Sequence, residues 1–151
     1  MMYLFIMKHD RIRIAMENLR EEIVDYVMRN DLPFPVDDLA GACGICSLMA
    51  FRVLKKMGLH PIFHMNRYHC FVTVGRWWVD LTLSQFTPRV DPIFFETHPY
   101  RYDIGAYGCV HTSTQHATTE RAIQALFDEW PEEQNPFKQK IPNIRLTNLI
   151  H

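Results

Sequence analysis

Gly41-Ala42-Cys43-Gly44-Ile45-Cys46-Ser47-Leu48-Met49-Ala50-Phe51-Arg52-Val53-Leu54-Lys55-Lys56-Met57-Gly58 is the stretch on which the fold turns. Ile45, Leu48, Met49, Phe51, Val53, Leu54 and Met57 make residues 43–57 a helix that is apolar on most sides. Such a helix is central and buried. Arg52, Lys55 and Lys56 mark its wet stripe near the C-terminal end, where cations suit the helix dipole. Gly58 is placed to cap it.

Upstream, residues 11–29 read as an amphipathic helix. Ile12, Met16, Leu19, Ile23, Tyr26 and Val27 recur at helical spacing, with Arg13, Glu17, Arg20, Glu21 and Asp25 opposite. Pro33 and Pro35 end it, because each favours extended backbone before it. Residues 36–42 form a short loop into the cysteine.

Downstream come three strand candidates, Pro61–Met65, His69–Val74 and Trp77–Leu83. Gly75-Arg76 between the last two fits a two-residue hairpin turn with Gly first. That turn pairs Val74 with Trp77 and Val72 with Val79. It also puts His69 and Asp80 on one face, close enough at Cβ for a carboxylate to reach an imidazole. Residues 84–117 hold no strong period and read as a long irregular segment with one more strand near Pro92–Glu96 or Cys109–Thr112. Residues 118–130 form a third helix with the stripe Ile123, Leu126, Phe127 and Trp130, capped by Thr118 and stopped by Pro131. The fold class is therefore α+β. N-terminal and central helices pack on a small antiparallel sheet, with the cysteine at the N-terminus of the central helix.

The totals limit the alternatives. The chain has 151 residues, 48% of them hydrophobic, which suits a single domain over 1–151 with its core at about 36–130. A net charge of −1 gives no basic excess for nucleic acid or an anionic membrane surface. Lys8, His9 and Asp10 end the apolar start too early for a signal-peptide core. The chain reads as cytoplasmic, with export by a non-classical route left open. Four cysteines are too few for a disulfide scaffold.

Cys43, His69 and Asp80 are the candidate catalytic residues. Thiol chemistry needs a sulfur, an imidazole to take its proton, and a group to orient the imidazole. A cysteine at a helix start is exposed to unpaired N–H groups that favour thiolate and can hold an oxyanion. Gly41 and Gly44 would open space around the sulfur. Gly44, Trp78 and Gln85 are possible supports of the site, Trp78 by shielding an ion pair from water. His64 is the backup base. Cys46 is the rival thiol, and Cys43-Gly44-Ile45-Cys46 is formally a C-x-x-C motif. A zinc site there would recruit His69 and Cys109 or His111. Tyr100, Tyr102 and Tyr107, with Gly105 and Gly108, suit a flap or an ordinary loop equally.

In these residues the chain resembles the transglutaminase-like and papain-like superfamily of cysteine enzymes. The resemblance covers residues 41–86: Gly41-Ala42-Cys43 with Ser47, a helix ending at Gly58, His69 opening a strand, and Trp78-Val79-Asp80-Leu81-Thr82 on the next. It favours Cys43 over Cys46, since Gly58 falls at the family spacing from Cys43. It implies an α+β fold, thiolate attack on an amide or ester carbonyl of a protein or peptide, and a thioester intermediate; no cofactor is expected, and calcium is not implied, since the calcium-dependent members are far larger. Phe71 stands where the family usually has Trp. No glutamine precedes Cys43 to serve as the papain-type oxyanion donor. The same fold could also serve as an inactive binding module, and the C-x-x-C leaves a zinc or redox protein as a further alternative.

Overall fold

The computed structural model describes residues 2–66, 69–82, 94–96 and 115–138. In chain order the elements are α1 (Met2–Arg29), α2 (Cys43–Lys56), β1 (Pro61–Met65), β2 (Cys70–Val74), β3 (Trp77–Asp80), β4 (Phe94–Glu96), β5 (Gln115–Ala117) and α3 (Glu120–Phe127). A 3-10 turn at Glu132–Gln134 follows. The five strands form one antiparallel sheet in the order β4-β3-β2-β1-β5. The α+β class and the helix-on-sheet arrangement anticipated from the sequence are those of the structure.

α1 buries Ile12, Met16, Leu19, Ile23 and Val27 on one stripe. It starts nine residues earlier than its clear periodicity, at Met2 rather than residue 11. α2 is buried over most of its surface, and only Arg52, Lys55 and Lys56 escape the core among its residues. It lies between α1 and the sheet, in contact with α1, β1 and β2. The helix closes as its sequence indicates: the Gly58 N–H donates to the Lys55 carbonyl at 2.9 Å and the Leu59 N–H to the Leu54 carbonyl at 3.1 Å, with Gly58 at φ +82°. That is a left-handed cap, which a residue with a Cβ adopts only at a cost.

Strand register follows the hairpin. Val74 pairs with Trp77 and Val72 with Val79, with Gly75 at φ +56° in the turn. Phe63, Cys70, Val72 and Val79 belong to the core with α2. His64, Phe71 and Trp78 alternate onto the opposite face and stack, His64 on Phe71 at 4.7 Å and Phe71 on Trp78 at 5.2 Å between ring centroids.

Further boundaries differ from the sequence reading. β2 begins at Cys70, leaving His69 just outside the strand, and β3 stops at Asp80 rather than Leu83. α3 is shorter than 118–130, and its cap is Thr119, whose hydroxyl accepts from the Ala122 N–H at 3.2 Å, not Thr118. β5 was not anticipated: Gln115-His116-Ala117 lacks a hydrophobic alternation of its own and pairs onto the free edge of β1. The expected strand near Pro92–Glu96 is present as Phe94–Glu96. Cys109–Thr112 and the suggested tyrosine flap lie outside the described residues.

Candidate functional site

Cys43 is the first residue of α2. Ala42 precedes it as N-cap, and its methyl side chain makes no cap hydrogen bond to the first N–H groups. The loop into the helix is set by Gly41 at φ +86°. The Cys43 side chain is buried, and its sulfur lies 3.8 Å from the sulfur of Cys70, the first residue of β2.

His69 immediately precedes Cys70 and is fully buried. Its backbone is clamped by Asn66. The His69 N–H donates to Asn66 Oδ1 at 2.9 Å, and the Asn66 N–H donates to the His69 carbonyl at 3.0 Å. This reciprocal pair closes the β1–β2 connection and fixes where the imidazole leaves the chain. The ring Nε2 is 2.5 Å from Asp80 Oδ2. Asp80 is itself 2% exposed, and its other oxygen accepts from the Thr82 N–H at 2.9 Å and from the Thr82 hydroxyl at 3.4 Å. A buried carboxylate needs partners on both oxygens, and Asp80 has them.

With Nε2 held by Asp80, Nδ1 is the ring nitrogen that Asp80 does not engage. His69 is one of the groups that act on the Cys43 thiol. The sulfur sits well below its ordinary pKa, first because Cys70 hydrogen bonds to it. Burial opposes this, and the bond and charge of His69 then reinforce it. Burial also opposes charge on His69, but the Asp80 carboxylate, its hydrogen bond and Cys43 together push the imidazole up to about 10. The two shifts act in the same sense, favouring the charged forms of Cys43 and His69. Cys70 is held well above the ordinary thiol range by burial and by the neighbouring Cys43, and burial likewise raises Cys46.

The three residues singled out from the sequence therefore meet at one end of the sheet. Of the supporting candidates, Gly44 does not open space beside the sulfur. A Cβ there would stand 3.1 Å from the Gln134 carbonyl oxygen and 3.2 Å from the Phe127 ring. Its role is the close approach of α3 and the following turn to α2. Trp78 is half-buried in the aromatic stack with Phe71, two residues before Asp80. Gln85 lies outside the described residues. His64, the backup base, bonds Thr73 Oγ1 at 2.7 Å and His116 Nδ1 at 2.7 Å on the stacked face. Among the described residues, no group of three or more His, Cys, Asp or Glu is arranged to hold a metal.

Cys70 and Asn66 were missed as members of the site. Strand alternation put Cys70 on the face away from His69, and it does face α2, but the α2 N-terminus brings Cys43 to it. Asn66 carried no signal beyond being a turn former between two strands.

Two clefts open among the described residues; the first borders the start of α2, and Cys43, His69 and Asp80 line neither. One, of about 660 Å³, is lined by Tyr26, Leu32, Phe34, Gly41, Ile45 and Gln134 among others. The second, of about 420 Å³, includes Met65, Asn66, Gln115, Trp130 and Gln134. Gln134 borders both. No helix among the described residues is long and apolar enough to cross a membrane. Comparison of the chain with protein-family models, with curated proteins and with solved structures returned no match.

Proposed function

We propose that this chain is a thiol-dependent amide hydrolase or acyltransferase of the transglutaminase-like and papain-like kind, acting on a peptide bond or a glutamine side chain. The observation that carries the reading is the buried His69–Asp80 bond at 2.5 Å, with Cys43 at a helix start against Cys70, the residue after His69.

In this reading the Cys43 thiolate attacks the amide carbonyl carbon. The oxygen takes the negative charge and faces the N–H groups that open α2. His69 gives its proton to the leaving nitrogen, the C–N bond breaks, and a thioester on Cys43 remains. The neutral imidazole then takes a proton from water or from an amine, which attacks the thioester and frees the sulfur. Asp80 keeps the imidazole oriented and stabilises its charged form throughout. Water as the acceptor gives hydrolysis or deamidation, and an amine gives acyl transfer.

The test is iodoacetamide alkylation of the folded protein from pH 5 to 9, with each cysteine resolved by peptide mass spectrometry. Rapid labelling of Cys43 below pH 7, lost in His69→Ala, is the expected outcome. Turnover of glutamine amides or peptides that disappears in a folded Cys43→Ala variant would extend it to a substrate. Labelling of Cys43 that follows an ordinary thiol would overturn the reading in favour of a binding module.

A further inference from the structure

Two sulfurs, not one, occupy the centre of the site. Cys43 Sγ and Cys70 Sγ lie 3.8 Å apart, both side chains are buried, and neither cysteine is in a disulfide. They come from elements fixed independently, the first residue of α2 and the first residue of β2. A disulfide has its sulfurs about 2.05 Å apart, so closure asks each side chain for a shift of about 1 Å along the line between them. Neither helix nor strand has to unwind, because each cysteine is at the end of its element.

We propose that Cys43 and Cys70 are a covalent modification site, which a hydroperoxide converts reversibly to a disulfide that closes the site. The two thiols have the unequal roles this chemistry needs. Cys43 is the sulfur held as thiolate, and a thiolate is the form that attacks a peroxide. Cys70 is the partner held protonated beside it, placed to resolve the product.

In the first step the Cys43 sulfur attacks one peroxide oxygen and the O–O bond breaks. Cys43 becomes a sulfenic acid, oxidised by two electrons, and the peroxide is reduced. Its second oxygen leaves as water or an alcohol, carrying the proton of His69. In the second step Cys70 sulfur attacks Cys43 sulfur, the S–O bond breaks, and the hydroxyl leaves as water with the Cys70 proton. A dithiol reverses the change by thiol–disulfide exchange, returning two electrons and two protons.

The disulfide would remove the nucleophile and tie Cys70, the residue next to His69, to α2. It would also spare Cys43 from oxidation to sulfinic acid, which thiols do not reverse. The inference needs only the sulfur geometry and the thiolate. It stands or falls separately from amide turnover.

The experiment treats the full chain with hydrogen peroxide, blocks remaining thiols with N-ethylmaleimide, and maps peptides without reduction. The expected product joins the peptide of Cys43 and Cys46 to that of Cys70, with fragmentation placing the link at Cys43. Iodoacetamide labelling of Cys43 should vanish and return fully with dithiothreitol. In Cys70→Ser, peroxide should instead carry Cys43 to the sulfinic acid, with no recovery. A Cys43–Cys46 link, a link to Cys109, or sulfinic Cys43 in the unmutated chain without any link would each overturn the proposal. The unmutated chain alone decides this if Cys70→Ser fails to fold. Intact low-pH labelling of Cys43 in the untreated protein keeps the catalytic reading alive whichever result appears.

Discussion

His69 Nε2 and Asp80 Oδ2 meet at 2.5 Å where neither side chain sees water. The bond joins a residue just before β2 to the last residue of β3, across the hairpin that Gly75 turns. It fixes the ring with Nε2 on the carboxylate and Nδ1 turned away from it. Replacing Asp80 by Asn keeps the shape and removes the charge. Turnover on an identified substrate should fall by about 10⁴-fold, the size of loss when a triad carboxylate is neutralised. The His69 titration, followed by NMR, should move down from about 10. A titration that stays in place would remove Asp80 from its role. Asp80→Ala should also cost about 3–5 kcal/mol of stability, because it strands a charged imidazole in the core.

The pH dependence follows from both partners. His69 is raised to about 10, so its charged form stabilises the fold fully below the ordinary imidazole pKa, and that contribution is lost as pH climbs through about 10. Cys43 is lowered, so its thiolate contributes above the ordinary thiol value and is lost as pH falls through the lowered one. Turnover should trace a bell whose acid limb belongs to Cys43 and whose alkaline limb falls near pH 10. An acid limb at the ordinary thiol pKa would contradict the thiolate. Urea midpoints taken across the same range should fall on both flanks.

Asn66 touches no reacting atom in this scheme and acts by placing His69. Asn66→Ala removes the acceptor of the His69 N–H and loosens the β1–β2 connection. A misplacement of about 1 Å costs on the order of 10²-fold in rate. The expected result is a fall of that size in kcat with the pH profile unchanged in its limbs. A shift of the limbs instead would mean that Asn66 tunes charge rather than position.

Gly44 tests the contact between α2 and the chain after α3. Ala is the better helix former by about 0.5–1 kcal/mol. Against that, its Cβ would meet a backbone oxygen at 3.1 Å and the fully buried Phe127 ring at 3.2 Å. The oxygen belongs to a turn pinned by Asn135, whose side chain donates to the Phe127 carbonyl at 3.2 Å. Overpacking of this kind costs about 1–3 kcal/mol, so Gly44→Ala should lower the urea midpoint. A raised midpoint would show that the Pro131–Lys138 segment yields easily.

Phe127 anchors α3 in the same place. It is fully buried, with ring centroids 5.7 Å from Phe63 and 5.3 Å from Trp130. Phe127→Ala should cost about 3–5 kcal/mol in urea unfolding. A loss below about 1 kcal/mol would place α3 outside the cooperative core.

Much of this molecule was legible before any fold was known. The unbroken apolar surface of residues 43–57 made α2 central, because burying it is the largest favourable term available to the chain. Gly75-Arg76 set the hairpin, and the hairpin set the register, because side chains alternate with a strict period of two. From that register alone, His69 and Asp80 fall within reach of each other. Local chemistry and periodicity thus determined α2, the hairpin and the nearness of that pair. Tertiary structure alone decided the rest. It brought the start of α2 over the start of β2, so that Cys43 met Cys70 as well as His69. It closed Asn66 onto His69, filled the space beside Gly44 with Phe127, and added β5 to the edge of β1. Apart from the Asn66–His69 clamp, these contacts join residues far apart in the chain through shape and packing, and none of them leaves a period in the sequence to read.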